Sequence, residues 1–424
     1  MIGIVADDVT GANDIGLMYA KHGYKAEVFT NYDGLDLSTV KADVIVLDTN
    51  SRTDELQKAY AKVVDATRRL LPLNCHLLTK KTCSVFRGNV GMEFDAMLDA
   101  AEEEFAAVIA AFPKNGRITK DGLHYVHGKL LSESEFSHDP LHPMKKDDLR
   151  EIVAEQTTRP VYLLNYRTIA KGVAAIRGEV EKFRHCGGYL LIDSISQEDL
   201  QTVAQALANE RFIFGSSGIA EELPNFWGPP RVGLSLKDLP RNNVGTLIIV
   251  GSVTPQTKSQ VNYIRDQGLP VMAMDTGCLF ISSDREQEAN RVVEWAVPKL
   301  ISGQTALVYG KHQPDEIGMT YEAAARVGIN RIEASHIVSG TLGEISRRVI
   351  EATGGKRLIV AGGETSNDVC RSLGIVGNLV LKEIQPGLPS GLSRGKNELL
   401  VVLKSGSFGS PDFLAQAIEH LIKL

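Results

Sequence analysis

The fold is decided by the N-terminal stretch Met1-Ile-Gly-Ile-Val-Ala-Asp-Asp-Val-Thr-Gly-Ala-Asn13. An apolar run ends there in two adjacent carboxylates, Asp7 and Asp8, and residues typical of a helix start follow. The run predicts a buried strand, and Thr10 is predicted to cap the helix after it. Ligands of open α/β sheets bind at the carboxyl ends of strands, so this strand is expected to bring an acid to a substrate site. A simpler interpretation stays open, in which the pair only stabilises the helix N-terminus through its dipole.

The composition limits the classes of protein to which the chain can belong. Its 424 residues are 43% hydrophobic and 23% charged, which is typical of a soluble globular protein of two or three domains. A net charge of −6 disfavours nucleic acid as a partner. The apolar runs are far shorter than the roughly 20 residues of a membrane helix, and no signal peptide is expected. Five cysteines without a CxxC pair favour reduced thiols and a cytoplasmic location. The oligomeric state stays open, and a homo-oligomer is one outcome.

Short apolar runs alternate with helical patterns along almost the whole chain, which predicts an α/β fold with mostly parallel sheets. The segment 224–240 contains four prolines and no clear periodicity, as expected of a linker. We therefore predict two α/β domains, residues 1–224 and 244–424, joined by a linker at 225–243, with the active site in the cleft between them. Residues 113–143 are predicted to form an irregular loop that covers the substrate.

A cationic turn is predicted where another strand ends, in Lys80-Lys-Thr-Cys-Ser-Val-Phe-Arg-Gly-Asn89. Arg52 follows a third strand, so Asp8, Arg52 and Lys81 are expected at one sheet edge. Lys81 and an arginine would hold a carboxylate, Arg52 or Arg87 being suited to bidentate binding, while Asp8 would face a hydroxyl. This pattern indicates a pocket for a small polyhydroxy acid, although a solvated basic loop is the alternative.

Glycine and hydroxyl residues follow three strands of the second half, in Val250-Gly-Ser-Val-Thr-Pro-Gln256, Ala361-Gly-Gly-Glu-Thr-Ser366 and Lys404-Ser-Gly-Ser-Phe-Gly-Ser410. Glycine allows close backbone approach, and hydroxyls with free N–H groups suit phosphates or a ribose. A tight strand-to-helix turn explains any one of them, but three together favour nucleotide binding. No GxxxxGK[ST] and no GxGxxG after a strand is present, so a P-loop and a dinucleotide site are both disfavoured.

Four histidines, His124, His127, His138 and His142, fall in the predicted loop near Asp139. They could be read as a metal site, but their spacing is not HExxH and the X-Pro pairs at positions 139–140 and 142–143 indicate turns. We assign no metal ligand. The loop is instead expected to contact the substrate.

Taken together, these segments resemble the bacterial four-carbon acid sugar kinases, which act on threonate, erythronate or oxo-tetronate. The resemblance spans nearly the whole chain and implies an N-terminal acid-sugar-binding domain and a C-terminal ATP-binding domain. By motif, it implies that Asp8, Arg52 and the turn Lys81, Thr82, Cys83 and Ser84, with Arg87 close by, bind the substrate. It implies likewise that ATP is bound by Ser252, Gly362, Gly363, Glu364, Thr365 and Gly406. The segments that carry the resemblance are 6–13, 51–52, 81–89, 112–117, 139–140, 215–220, 362–365 and 404–409.

One departure from the family pattern concerns the substrate turn. Many members have Ile/Val-Asp where this chain has Thr82-Cys83, so the pocket lacks one carboxylate. We interpret this as a sign of a distinct substrate branch and favour D-threonate, with D-erythronate and 3-oxo-tetronate as alternatives. The predicted reaction is phosphorylation of the C4 hydroxyl by ATP, with Asp8, or alternatively Asp7, as the base. Mg²⁺ is expected with ATP, and no protein ligand is assigned to it. More distant alternatives are a nicotinamide-dependent oxidoreductase and a non-catalytic sugar-acid sensor.

Overall fold

The computed structural model describes residues 1–139, 142–237, 239–311, 313–404, 406 and 408–424. Pro140 of the Asp139-Pro140 pair, and Ser405 and Ser407 of the last glycine and serine turn, lie outside the described residues. The chain divides into two compact units, Met1–Leu234 and Ser235–Leu424. The predicted placement of the active site between two domains stays a prediction.

The first unit is built on parallel strands in the order β2-β3-β1-β4-β11-β5-β10-β9. Helices follow most of these strands, as the alternating sequence pattern predicts. The strands are β1 Ile2–Ala6, β2 Ala26–Phe29, β3 Val44–Asp48, β4 Leu77–Lys81, β5 Phe105–Ile109, β6 Arg117–Lys120, β7 Leu123–Val126, β8 Lys129–Leu130, β9 Val161–Leu164, β10 Gly188–Ile192 and β11 Ile213–Gly215. The helices are α1 Val9–Lys21, α2 Leu56–Leu70, α3 Val90–Ala101, α4 Leu149–Ala154, α5 Tyr166–Ile169, α6 Val173–Arg184, α7 Gln197–Leu207 and α8 Gly218–Glu222.

The strand-to-helix turn after β1 differs in one respect from the sequence-based expectation. Asp8, and not Thr10, caps helix α1, because the backbone of Asp8 is extended and its Oδ1 accepts from the N–H of Gly11 at 2.9 Å. Thr10 already lies within the helix. The cap also fixes the Asp8 carboxylate at the sheet edge, since its backbone directly continues the strand.

The prediction of an irregular loop over residues 113–143 is wrong for its central part, where β6, β7 and β8 form an antiparallel sheet. Asp121 and Gly122 connect β6 to β7 with positive φ angles of 54° and 84°. His127 and Gly128 connect β7 to β8 in the same way, with 49° and 81°. Such two-residue turns match the twist of a hairpin.

The second unit also begins with parallel strands, in the order β13-β14-β12-β15-β18, and β17 and β16 extend them in antiparallel fashion. Its strands are β12 Leu247–Val250, β13 Val271–Met274, β14 Ala306–Gly310, β15 Arg357–Ala361, β16 Ile375–Gln385, β17 Leu388–Gly395 and β18 Leu400–Lys404. Its helices are α9 Pro255–Asp266, α10 Ser282–Ile301, α11 Pro314–Arg326, α12 Arg331–Thr353, α13 Gly363–Leu373 and α14 Phe413–Lys423.

Each unit has its own apolar core, formed mainly by the parallel strands and the helices that cover them. These strands read as nearly continuous apolar runs because both faces of a parallel sheet are covered. Within the part of the chain that the structure describes, no helix combines the length and the hydropathy that a membrane crossing needs.

Candidate active site

The register of the first sheet brings several of the predicted polar groups to one edge. Strand β1 lies between β3 and β4, with Ala6 paired to both Asp48 and Lys81. Lys81 is paired in turn with Gly215 on β11. The residues that follow these positions therefore emerge side by side, as expected at the carboxyl edge of a parallel sheet.

Arg52 holds the two aspartates that end the first strand. Its Nε and Nη2 donate to Asp7 at 2.8 Å each, and its Nη1 and Nη2 donate to Asp8 at 2.7 Å each. These bonds use four of the five guanidinium N–H groups. Burial would raise the pKa of Asp7, but Arg52 and Lys80 outweigh it and lower that pKa to about 2. The predicted substrate cation is thus largely occupied by the chain's own carboxylates.

A second buried ion pair lies beneath this edge. Lys80 and Glu93 are 0% and 1% exposed, and the Lys80 Nζ lies 2.8 Å from Glu93 Oε2. Ser51 donates its hydroxyl to Glu93 Oε1 at 2.5 Å, which ties the residue before Arg52 to the same pair. The sequence named Lys81 for the site but gave no role to Lys80, although the two alternate on one strand. Lys80 therefore contacts the site indirectly, through Glu93 and Ser51.

Lys81 and Thr82 are both buried at the end of β4. The Lys81 Nζ donates to the Thr82 carbonyl at 2.8 Å and lies 4.0 Å from Asp14 Oδ2. The hydroxyl of Thr82 is buried without a hydrogen-bond partner among the described residues. Ser84 is half-buried in the same turn. A buried polar atom without a partner is costly, which suits a turn that a ligand completes.

Cys83 and Arg87 continue the cationic turn. Arg87 donates from Nε to Cys83 Sγ at 3.4 Å and from Nη1 to Asp139 Oδ2 at 2.6 Å. Its guanidinium carbon lies 5.1 Å from the ring centre of Phe136. Burial would raise the pKa of Cys83, but Arg52 and Arg87 outweigh it and lower that pKa. The thiol at the position of the missing carboxylate is therefore drawn toward its anionic form.

Asp14 and Ser217 belong to this edge but were not assigned by sequence reasoning. Asp14 lies in helix α1, and its Oδ2 accepts a hydrogen bond from the hydroxyl of Ser217, which precedes α8. The side chain of Asp14 is 22% exposed. Asp14 is six residues after Asp8, and Ser217 lies in the segment 215–220, one of those that carry the resemblance to the family.

The histidines of the hairpin region are separated in the structure. His124 on β7 is fully buried, contacts Thr119 through its Nδ1 at 3.1 Å, and has its pKa lowered to about 3 by burial and by Arg117. His138 contacts the hydroxyl of Ser137. Among the described residues, no three His, Cys, Asp or Glu side chains are grouped as a metal site would need.

The glycine and hydroxyl turns of the second unit meet in the same manner. Ala361 is paired with both Val250 and Lys404, so the residues that follow β12, β15 and β18 emerge together. A Cβ atom at Gly406 would lie 2.2 Å from Ser252 Oγ, and one at Gly362, where φ is +128°, would lie 3.1 Å from Thr365 Oγ1. The structure thus brings together Ser252, Gly362, Thr365 and Gly406, four of the six predicted nucleotide contacts.

The two other predicted contacts lie in the first turn of helix α13. Gly363 begins the helix, and Glu364 follows it. The Glu364 carboxylate lies 2.7 Å from His336 Nδ1, and burial raises its pKa although His336 opposes the shift. The helix N-terminus and the tight glycine turn before it fit a phosphate, because free N–H groups and the helix dipole point there.

Lys404 ends β18 under the turn at Gly406. It is 1% exposed, and its Nζ donates to Thr257 Oγ1 at 3.1 Å and lies 3.5 Å from the Gly406 carbonyl. Thr254 and Thr257 donate their hydroxyls to that same carbonyl at 2.7 and 2.8 Å. Burial lowers the pKa of Lys404 to about 8. A buried cation therefore lies directly below the predicted phosphate turn.

A cleft opens beside the turns that follow β12 and β15, with Gly251, Glu364 and Thr365 in its wall. Its apolar and aromatic side chains suit a flat ring, and its hydroxyls and one lysine suit a ribose or phosphate. Sequence reasoning found the two strands β13 and β14 but did not consider the residues after them. The wall residues missed in this way include Thr276, Lys311, Tyr321 and Val338.

The first unit therefore has a site of carboxylates and cations that suits a sugar acid. The second unit has glycine and hydroxyl turns that suit a nucleotide. A model of a sugar-binding N-terminal domain matches residues 2–223, and a model of a nucleotide-binding C-terminal domain matches residues 247–414. A 3-oxo-tetronate kinase of Pseudomonas fluorescens is 33% identical over 430 residues, which cover 99% of this chain and 97% of that protein. A D-threonate kinase of Salmonella typhimurium is 28% identical over 429 residues, with the same coverage of 99% and 97%.

The fold is similar to that of a solved structure as well. The crystal structure of a Haemophilus influenzae protein superposes with a TM-score of 0.82 at 27% identity, covering 99% of this chain and 100% of that one. The chain belongs to the four-carbon acid sugar kinase family. The sequence-based prediction of the family, of the α/β fold and of a sugar-acid kinase is confirmed.

Proposed function

We propose that this kinase transfers the γ-phosphate of ATP to the C4 hydroxyl of a four-carbon sugar acid, and that D-threonate is its substrate. The observation that carries the proposal is that one chain contains both kinds of edge, with carboxylates and cations on the first unit and glycines and hydroxyls on the second. 3-Oxo-tetronate is the second candidate, because the relative that is 33% identical bears that name whereas the D-threonate kinase is 28% identical.

On the first unit, the residues that bind the acid are Asp8, Arg52, Lys81, Thr82, Cys83, Ser84 and Arg87. Arg52 retains one N–H group for a ligand, so the substrate carboxylate also needs Lys81 or Arg87 as a partner. The unpartnered hydroxyl of Thr82 suits a substrate hydroxyl. The base that takes the proton is a carboxylate of this edge, and Asp8 is the one that the sequence predicts.

On the second unit, Ser252, Gly362, Gly363, Glu364, Thr365 and Gly406 form the nucleotide cradle. The glycines let the backbone approach a phosphate closely, and the hydroxyl of Ser252 lies beside Gly406 while that of Thr365 lies beside Gly251 and Gly362. When bound, ATP supplies the phosphoryl group, and Mg²⁺ bound with it neutralises phosphate charge. The protein contributes position and fixed dipoles, which is the main part of kinase catalysis. Action in the cytoplasm stays a prediction.

The experiment is a coupled assay of ADP release with D-threonate, L-threonate, D-erythronate and 3-oxo-tetronate, each at several concentrations. We expect turnover above the ATPase background with at least one acid and the highest kcat/KM with D-threonate. A preference for 3-oxo-tetronate would transfer the assignment to the second candidate. If no four-carbon acid raised ADP release above background, the proposed function would be wrong. D-Threitol, which lacks the carboxylate, is the matched control substrate and should turn over poorly.

A further inference from the structure

Two aspartates of the first edge, Asp8 and Asp14, differ in how their oxygens are used. Asp8 accepts from Arg52 at both oxygens and from the Gly11 N–H at Oδ1. Both oxygens of Asp8 are therefore already engaged by groups of the chain itself. Its geometry is that of a group that holds Arg52 and the start of helix α1 in place.

Asp14 lies in the second turn of α1 and is engaged differently. Its Oδ2 accepts from the hydroxyl of Ser217, and the Nζ of Lys81 lies 4.0 Å from the same oxygen. A Cβ atom at Gly11 would lie 2.6 Å from Asp8 Oδ1 and 3.2 Å from Lys81 Nζ, so Lys81 stands next to both aspartates. Gly11 keeps the space over this group of side chains open.

The charges that face Asp14 come from three elements. Lys81 on β4 and the hydroxyl of Ser217 before α8 favour its anion, and Lys21 on its own helix does so as well. Asp8 disfavours the anion, and burial disfavours it most, so the pKa of Asp14 is raised above the ordinary value. A carboxyl group whose pKa is raised by burial beside a specific charged partner is typical of a functional site.

We propose that Asp14, rather than Asp8, takes the proton of the attacking hydroxyl, and that Ser217 and Lys81 hold its carboxylate for this purpose. In the step, the C4 oxygen forms a bond to the γ-phosphorus while its O–H bond breaks and the proton passes to Asp14 Oδ1. The bond between the γ-phosphorus and its bridging oxygen breaks, and its electron pair leaves with ADP. This inference rests on the proposed kinase function and names the base of the same site.

The test compares Asp14→Asn with Asp8→Asn under saturating ATP and the best acid of the panel. We expect Asp14→Asn to lower kcat by ~10²–10⁴-fold with the KM values for acid and ATP within a few-fold of wild type. The acidic limb of the pH profile of kcat/KM should disappear in this variant. Asp8→Asn should act mainly on the KM for the acid, because it loosens Arg52. Thermal unfolding of each variant separates loss of fold from loss of chemistry.

Ser217→Ala provides a second, milder variant that keeps the carboxylate. Loss of a hydrogen bond to the anion should raise the pKa of Asp14 further, so the acidic limb should move to higher pH while kcat at alkaline pH recovers. The assignment of Asp14 as the base would be overturned by a kcat near wild type in Asp14→Asn, or by an unchanged acidic limb in Ser217→Ala. Either result would leave the kinase proposal in place. A wild-type protein inactive with every acid would overturn the kinase proposal and this inference together.

Discussion

The acidic edge of the first unit and the glycine cradle of the second occupy equivalent places in their sheets. They differ in whether their buried charged side chains form ion pairs. At the first edge, buried Asp7 is bound to Arg52 and buried Lys80 is bound to Glu93. In the second, Lys404 is equally buried, but no carboxylate among the described residues lies within ion-pair distance of it.

This difference indicates what each edge does. Compensated charges fix the positions of side chains, as reactive groups require. An uncompensated buried cation is costly by itself, and it suits an edge whose missing partner is an anion that arrives from solution. A nucleotide phosphate is such an anion, and Lys404 lies beneath the turn that we propose holds it.

The largest effect is expected from breaking a compensated pair. Lys80→Met leaves the Glu93 carboxylate buried beside Ser51 without its cation, so the free energy of unfolding should fall by about 3–5 kcal/mol. Urea unfolding measures this change. The double variant Lys80→Met with Glu93→Leu removes both charges and should recover most of the loss. A single variant as stable as wild type would contradict the role of this pair.

The next effect concerns Lys404→Met, which removes the uncompensated cation. We expect ATP affinity to fall by roughly 10–100-fold, since a hydrogen bond to a charged group contributes about 1.5–3 kcal/mol. Stability should not fall, because no buried carboxylate loses its cation and the Gly406 carbonyl still accepts from Thr254 and Thr257. Isothermal titration with a non-hydrolysable ATP analogue measures the affinity, and Lys404→Arg should retain part of it. Unchanged affinity in Lys404→Met would show that Lys404 has no part in nucleotide binding.

The pH dependence of Lys404 gives a related prediction. Its pKa is about 8 in the folded protein and 10.5 ordinarily, so between these values the unfolded chain binds a proton that the folded one has released. The contribution of Lys404 to the free energy of unfolding should therefore rise as the pH increases from about 8 to 10.5. Analogue affinity should fall over the same range, because the anion prefers the protonated lysine. Neither trend should remain in Lys404→Met, and persistence of both there would contradict the account.

A smaller effect is expected at Asp48, a carboxyl of the acidic edge without a cation of its own. Burial, together with the charges of Asp8 and Asp7, raises its pKa to about 7, although the N–H of Asn50 opposes the shift. Between pH 3.8 and 7 the folded state holds a proton that the unfolded state has lost, so stability should fall as the pH rises through this window. Asp48→Asn should remove this slope and stabilise the protein at pH 8 by on the order of 1 kcal/mol. Urea titrations at pH 5 and pH 8 measure both.

The smallest effect is expected from a solvent-exposed pair of the second unit. Arg347 contacts Glu344 at 2.6 Å and Glu351 at 2.5 Å on the surface of α12. Arg347→Ala should change the free energy of unfolding by less than about 1 kcal/mol. A loss as large as that of Lys80→Met would show that burial is not what distinguishes the two kinds of pair.

The sequence predicts the parallel part of both sheets well, because buried strands with short helical connections leave a clear pattern of apolar runs. It does not predict β17, Leu388–Gly395, whose proline, glycines and serines have low strand propensity. That strand forms because β16 and β18 pair with it on both sides. The hairpin turns at Asp121-Gly122 and His127-Gly128 could have been predicted, because a residue followed by glycine is typical of such turns. The prediction of an irregular loop did not take this pattern into account.

The sequence predicts where the site lies, but it does not predict which side chains of the site contact each other. Strand ends placed Asp8, Arg52 and Lys81 at one edge, and their shared edge is what the register shows. The sequence could not show that Arg52 binds both aspartates, because that depends on side-chain direction across the sheet. Nor could it show that Asp14 and Ser217 meet, since they are 203 residues apart in the chain.

The most direct test of the central claim is to identify the phosphorylated product. After incubation of the protein with ATP, Mg²⁺ and the preferred four-carbon acid, a ³¹P–¹H correlation spectrum shows which protons couple to the new phosphate. The account predicts a phosphate ester that couples to the two protons on C4, formed in equal amount with ADP. Free inorganic phosphate without an ester, or an ester on another carbon, would contradict it.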